Sequence, residues 1–119
     1  MTTYNANNKL TDAQKFQAEY PDTVKAIDPY YWDRVEVDYY VRIRSNSEYF
    51  WVQVREVDKD NESVTGEVYY QLGTNPYSIG DQLIFDFCKM FDVWDPQIFN
   101  LIPGIEPFQY KRGSALSPP

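Results

Sequence analysis

The chain has 119 residues, of which 43% are hydrophobic and 18% are aromatic, and its 11 basic and 18 acidic residues give a formal net charge of -7. This length suits a single domain with its own hydrophobic core. Nucleic-acid backbones and anionic membranes attract Lys and Arg, so the acidic balance argues against both as partners. No apolar run approaches the roughly 18–20 residues of a membrane-spanning helix. The first thirty residues are polar and lack the apolar stretch of a secretory signal, so we expect a cytoplasmic protein that is not secreted.

The residue inventory excludes the common kinds of catalytic and metal site. The sequence has no histidine, which removes Ser–His and Cys–His catalysis as well as His-ligated metals. Its one cysteine, Cys88, has no partner for an intrachain disulfide. The acidic segment 58–62 begins a calcium-loop spacing, but the sixth and twelfth positions hold Ser63 and Tyr69 instead of Gly and Glu. We therefore predict a protein that is not an enzyme and that binds no metal, cofactor or small-molecule substrate.

A helix is predicted close to the start of the chain, after a polar arm. Residues 11–14 fit a capping box, with Thr11 as the N-cap and Gln14 as its reciprocal partner. Pro21 is expected to end this helix. A second short turn is predicted over residues 22–28, with Asp22 as its cap. It should end at Asp28, because the residue before a proline avoids the helical region.

Four segments then alternate between buried-type and polar side chains with the period of a β-strand. A phase slip at Glu56-Val57 predicts a β-bulge that bends the sheet toward barrel closure. Gly66 lies in the middle of its strand, which predicts a tight bend or a close crossing by another backbone. The four predicted strands span residues 35–44, 49–57, 64–70 and 80–87, and their inward residues include Val35, Val37, Tyr39, Val41, Ile43, Phe50, Val52, Val54, Val64, Val68, Tyr70, Leu83, Phe85 and Phe87.

The end of the chain is predicted to be helical and then flexible. Residues 89–94 are expected to form a helical turn, and Asp95-Pro96 has the N-cap and first-position residues of a further helix. The composition after Lys111 is that of a flexible tail. The resulting organisation is one domain with three parts: an arm and helix over 1–30, a barrel over 31–95, and a helical turn with a Pro-rich tail over 96–119.

Parts of the strand region resemble a known class of fold. Residues 50–57 and 64–68, which read FWVQVREV and VTGEV, look like the strand pair of small SH3-like and Tudor-like barrels. Residues 79–85, IGDQLIF, resemble their hydrophobic-Gly-Asp start of the next strand. The pattern over about residues 48–95 is also similar to an uncharacterised family of small microbial domains. The resemblance implies a mainly β (α+β) fold: a small SH3-like antiparallel barrel, to which the residues add an N-terminal helix and a short C-terminal helical segment.

Aromatic residues on the outer sides of the strands are the candidate binding surface. Strand alternation places Tyr40, Trp51 and Tyr69 on one outer face, with Tyr49 close to them. Tudor-like proteins bind methylated side chains in a cage of such rings, and the resemblance raises that possibility here. The alternative is an aromatic patch that packs against the N-terminal helix. We predict that these four residues bind a protein partner.

Two classes of function remain open. The first is a non-enzymatic protein-interaction or structural module of a larger assembly, such as a minor structural protein of a virus, whose partners are other proteins or its own copies. The alternative is an acidic inhibitor or immunity-type protein that binds the basic surface of another protein. An inhibitor should concentrate its acidic residues on one face. The sequence spreads them fairly evenly, which favours assembly.

Overall fold

The computed structural model describes residues 2–96, which form one six-stranded mixed sheet with little helix. The prediction of a mainly β domain is thereby confirmed. The predicted C-terminal helix and tail, residues 97–119, lie outside the described residues. The strands are β1 (Thr3–Asn5), β2 (Tyr40–Ser45), β3 (Glu48–Asp58), β4 (Ser63–Val68), β5 (Gln82–Asp86) and β6 (Asp92–Trp94), and the helices are α1 (Ala13–Glu19) and two 3-10 helices (Pro29–Arg34 and Phe87–Lys89).

The sheet has the order β1-β5-β4-β3-β2-β6. Strands β2 to β5 form an antiparallel meander, and β6 returns to pair antiparallel with β2. The first strand, β1, pairs parallel with β5. The expectation of a wholly antiparallel sheet is therefore wrong at this edge. With only three residues, β1 is too short to give a period-2 signal in the sequence.

The inner face of the sheet carries one hydrophobic core. Strand alternation accounts for it, because every second residue is buried in β2, β4 and β5 and in β3 as far as Val54. The predicted inward residues Leu83, Phe85 and Phe87 are confirmed, with 0–2% of each exposed. Burying one side chain of this size contributes roughly 1.5–3 kcal/mol. The cluster includes Val41, Ile43, Phe50, Val52, Val54, Val64, Val68, Leu83, Phe85, Met90 and Val93.

The second strand begins at Tyr40, five residues after the predicted start. Val35 is buried as expected, but Val37 is 51% exposed. Asp38 has a φ of 77°, in the left-handed region where the backbone turns away from an extended strand. A 3-10 helix over Pro29–Arg34 precedes this turn. Its N-cap is Asp28, whose side chain accepts from the Tyr30 N–H at 2.9 Å. The alternation of residues 35–39 is therefore not that of a strand.

The predicted β-bulge is present. The pairing of β3 with β4 shifts register between Val54 and Glu56, one residue from the predicted slip. At Gly66 the predicted close approach is also found, but its cause is a side chain. An added Cβ there would collide with Val52 Cγ2 and lie 3.0 Å from Val52 Cβ.

The first helix begins one residue later than predicted. Its N-cap is Asp12, which accepts from the Lys15 N–H at 3.0 Å. Thr11 is held by β2 instead: its N–H donates to the Arg44 carbonyl at 2.8 Å, and its hydroxyl accepts from Arg44 at 3.0 Å. Gln14 donates to the Ile27 carbonyl at 2.8 Å rather than closing a capping box. The structure has a turn over residues 21–23 and neither helix nor turn over residues 24–28, so the predicted second turn reaches no further than residue 24.

Residues 89–94 do not form the predicted helical turn. A short 3-10 helix ends at Lys89, and β6 follows it. The Phe91 N–H donates to the Arg42 carbonyl at 2.8 Å, and Arg42 faces Asp92 across the strands. This long-range pairing, which no local pattern encodes, selects the strand.

Candidate partner-binding surface

Two of the four predicted binding residues lie together. The ring centroids of Tyr40 and Tyr69 are 5.3 Å apart, and those of Tyr69 and Tyr70 are 4.9 Å apart, all in edge contact. Burial raises the pKa of Tyr69, and the neighbouring Tyr70 and Tyr40 phenols add to the shift. Edge-to-face contact is the arrangement that packed aromatic pairs favour, so Tyr40 and Tyr69 pack against each other on the outer side of the sheet.

The other two predicted residues are engaged elsewhere. Tyr49 packs with Phe91, at 5.1 Å between centroids, in a small cluster beside α1. The Arg42 guanidinium carbon lies 4.6 Å from the Tyr49 ring centroid, and that of Arg44 lies at 5.6 Å. Trp51 is only 3% exposed. The structure thus divides the predicted surface, and the alternative of packing against the N-terminal helix describes Tyr49.

A cleft that sequence reasoning missed lies between β1, the β2–β3 turn and the loop after β4. It has a volume of about 300 Å³ and is lined mainly by amide, hydroxyl and aromatic groups. One lining side chain is charged, that of Lys9. The lining residues are Tyr4, Asn5, Lys9, Ser45, Asn46, Asn75, Pro76 and Tyr77.

Hydrogen bonds fix the walls of this cleft. Asn75, which is 7% exposed, donates from Nδ2 to the Ser45 carbonyl at 2.9 Å and to Glu48 at 2.9 Å. Burial opposes the charge of Glu48, but hydrogen bonds from Gly73, Thr74 and Asn75 outweigh it and lower the pKa of Glu48 to about 2. The Ser45 hydroxyl donates to the Lys9 carbonyl at 3.0 Å. The cleft is therefore bordered by groups that already have fixed positions.

Two tyrosines form the aromatic part of the cleft. The rings of Tyr4 and Tyr77 meet edge to face with centroids 5.2 Å apart. Tyr4 is 39% exposed, whereas Tyr77 is 8% exposed, and burial raises the pKa of Tyr77. An apolar group that enters the cleft would contact the exposed ring of Tyr4.

Both ends of β1 are anchored to β5 and the turn before it. Asp81 accepts from the Ser78 N–H at 2.8 Å and from the Thr2 N–H at 3.1 Å, and these bonds lower the pKa of Asp81. At the other end, Asn7 exchanges two hydrogen bonds with Asp86, at 2.8 and 3.3 Å. The Asp of the predicted Gly-Asp motif therefore positions the strand that borders the cleft.

The acidic residues are less evenly placed than the sequence indicated. Residues 28–38 and 55–62 together hold eight acidic and three basic residues. The two segments meet: Lys59 Nζ donates to the Asp33 carbonyl at 2.6 Å, and Arg55 lies 3.6 Å from Asp38. This end of the domain, residues 28–38 and 55–62, is called the acidic end below.

The cysteine and the carboxylates offer no assembled reactive centre within residues 2–96. Burial raises the pKa of Cys88, and the nearby Asp12 carboxylate adds to the shift, so its thiol is not activated as a nucleophile. The part of the chain that the structure describes contains no group of three or more potential metal ligands. It also contains no helix long and apolar enough to cross a membrane.

Comparison of the chain with protein-family models, curated protein sequences and solved structures found no match. Function is therefore inferred from the geometry of the described residues. The cleft has no contiguous sequence signature, since it joins residues near positions 5, 46 and 76. The signals that point toward it are local: an isolated Tyr4 in a polar arm and a turn-forming Asn46-Ser47 pair.

Proposed function

We propose that this protein is a non-enzymatic protein-interaction module that binds a partner, alone or in a larger assembly, through the open edge of β1. The observation that carries the proposal is the exposure of that edge. All three residues of β1 are exposed, and the strand lies at the end of the sheet. An open edge presents unpaired backbone donors and acceptors that another chain can pair with.

The same proposal includes an SH3-like barrel as the scaffold. Three features support it: the β2–β5 meander, the return of β6 to β2 after a single 3-10 helix, and the bulge in β3. A bulge increases local twist and helps a sheet to curl. Residues from β2 through β6 share one core cluster, as expected of a sheet that curls around it.

Partner capture with edge variants tests the function. We would immobilise the full chain and expose it to extracts of the cells that express it, comparing wild type with Thr3→Pro and Thr3→Val. Proline removes the Thr3 N–H, which β5 does not use, and valine keeps it. Wild type and Thr3→Val should retain equal amounts of a true partner, and Thr3→Pro should retain about tenfold less. Equal retention by all three proteins counts against the proposal.

The acidic end favours a second candidate, an inhibitor that covers a basic protein surface. Its eight acidic residues against three basic ones would steer a basic partner toward it. Binding through this end should weaken steeply when the salt concentration rises from about 0.05 to 0.3 M. It should also be unaffected by Thr3→Pro and reduced by Asp33→Asn combined with Asp60→Asn. A partner whose binding is insensitive to salt and to the Asp33→Asn and Asp60→Asn changes, but is reduced by Thr3→Pro, excludes this candidate.

A further inference from the structure

We propose that the cleft beside β1 receives an extended segment of a partner protein, which pairs with Thr3 and Asn5 as an added strand and places an acidic side chain beside Lys9. This inference rests on the proposed function and names the chemistry of its ligand. Its three parts are an edge with free backbone groups, a preformed space next to that edge, and one cation in that space.

The backbone groups of Thr3 and Asn5 face away from β5. The parallel ladder uses the residues between and beside them: Gln82 donates to the Thr2 carbonyl at 2.8 Å, and Ala6 donates to the Ile84 carbonyl at 2.8 Å. A parallel ladder engages alternate residues of a strand, so Thr3 and Asn5 present their N–H and C=O groups on the opposite edge. No other group within residues 2–96 bonds to these backbone atoms.

The edge is held in a fixed position before any ligand arrives. Asp81 fixes the chain at Thr2, and the reciprocal Asn7–Asp86 bonds fix it two residues after Asn5. A strand that is already ordered costs little further entropy when a peptide pairs with it. The short length of β1 is thus compatible with binding.

The cleft borders β1. Its lining includes Tyr4 and Asn5 from β1, and Ser45 and Asn46 from the end of β2 and the turn after it, but no residue of β5. At about 300 Å³ it is at the lower limit of ligand pockets, so it suits the side chains of a short strand segment. Side chains of a strand added along Thr3 to Asn5 would alternate between the two faces of the sheet, and those on the same face as the Tyr4 ring would lie next to the cleft that Tyr4 lines.

Charge selects the side chain that enters. Lys9 is the one charged residue in the lining, it is exposed, and it forms no ion pair with any residue of the described range. A carboxylate would be attracted to it, and a basic side chain would be repelled. A second copy of the chain fits less well, because residues 2–8 contain no acidic residue and two paired β1 strands would bring no carboxylate to Lys9.

The test is a selection of random peptides of about ten residues on the full chain, followed by affinity measurement on synthetic versions of the selected sequences. We expect the selected peptides to share an Asp or Glu. Thr3→Pro should weaken their binding about tenfold, and Thr3→Val should leave it unchanged. On binding, the Thr3 and Asn5 amides should become protected from hydrogen exchange.

A charge swap tests the role of Lys9. Lys9→Glu should lower the affinity of the protein for the selected peptides about tenfold. Replacing the shared acidic residue of the peptide with Lys should restore the affinity for the Lys9→Glu variant. Lys25→Glu is the matched control, because it makes the same charge change at an exposed lysine outside the cleft. It should leave binding unchanged.

Each remaining outcome overturns the inference in a recognisable way. Peptides without an acidic residue, or binding that is insensitive to Thr3→Pro and Lys9→Glu, would place the ligand elsewhere while the protein-interaction function survives. A dimer in light scattering that Thr3→Pro dissociates would make a second copy the occupant. If no peptide binds and no cellular partner depends on the β1 edge, the inference and the proposed function both fail.

Discussion

Glu48 holds Asn75 in the wall of the cleft, through a 2.9 Å hydrogen bond from Asn75 Nδ2 to a Glu48 carboxylate oxygen. The same carboxylate accepts from the Gly73 N–H at 2.6 Å and from the Thr74 N–H at 2.9 Å. One ionised side chain at the start of β3 therefore fixes the loop that follows β4. The loop and the cleft should respond together to any change that removes this charge.

Acid should weaken this contact in a defined pH range. The ordinary pKa of Glu48 is 4.5, and in the folded protein its pKa is about 2. The stabilisation is therefore complete above pH 4.5 and is lost as the pH falls through about 2. We expect Glu48→Gln to lower the free energy of unfolding by about 1 kcal/mol at neutral pH, a value reduced by the partial solvation of the carboxylate. The difference from wild type should shrink as the pH approaches 2 and vanish only below it, where Glu48 is protonated in the folded protein as well.

Urea unfolding at several pH values measures this effect. The matched control is Glu56→Gln, which removes the same charge from an exposed residue of β3. A difference between wild type and Glu48→Gln that stays constant from neutral to acidic pH would contradict the assignment.

A glycine in the β2–β3 turn should stabilise the folded protein. Two residues connect these strands, and both lie in the left-handed region, with φ values of 53° at Asn46 and 62° at Ser47. That conformation costs a residue other than Gly about 1 kcal/mol, so Ser47→Gly should stabilise the protein by about 0.5–1 kcal/mol. Ser63→Gly, in the extended strand β4, should instead destabilise it by about 0.5–1 kcal/mol. Denaturant midpoints that shift in the same direction for both variants would be inconsistent with this reasoning.

The parts of the fold with a sustained two-residue period were predictable. Val52 and Val54 flank Gln53 in β3, Leu83 and Phe85 occupy alternate positions of β5, and all four are buried. The alternation over residues 35–39 was misleading, because a single left-handed residue, Asp38, ends the strand geometry. Three-residue strands such as β1 and β6 are defined by their partners, and local sequence does not contain that information.

The candidate site was predictable only where strand alternation alone decides it. Outward alternation correctly places Tyr40 beside Tyr69. The same rule applies to Tyr49, yet Phe91 and the region beside α1 cover that ring. Which part of an outer face is covered depends on how α1 and β6 dock. The cleft is likewise assembled by long-range contacts, such as that of Asn46 with Asn75 at 3.2 Å.

Arg42 of β2 and Asp92 of β6 form a buried ion pair, and the two residues should show a large coupling free energy. Arg42 Nε donates to Asp92 at 2.7 Å, and side-chain exposures are 11% and 8%. Removing either partner leaves a buried charge, so Arg42→Met or Asp92→Leu alone should cost about 3–5 kcal/mol. The double variant should cost less than the sum, because it buries no unpaired charge.

A double-mutant cycle on unfolding free energies quantifies this coupling. The comparison pair is Arg55 and Glu67, 3.1 Å apart but 39% and 25% exposed, for which the coupling should stay below about 1 kcal/mol. Equal coupling in the two pairs would show that burial does not govern the Arg42–Asp92 interaction.

Gly66 leaves room for Val52 in the core, so substitutions at these two positions should affect stability non-additively. An alanine at position 66 would place its Cβ against Val52 Cγ2 and 3.0 Å from Val52 Cβ. Overpacking of this kind costs about 1–3 kcal/mol, so Gly66→Ala should destabilise the protein by that amount. Val52→Ala removes the colliding methyl, and the double variant should be at least about 1 kcal/mol more stable than the sum of the single effects predicts. Thr65→Ala, on the opposite face of β4, should combine additively with Val52→Ala. Thermal or urea unfolding measures the wild type and the five variants, and additive behaviour of Gly66→Ala with Val52→Ala would mean that the strands separate to admit the methyl group.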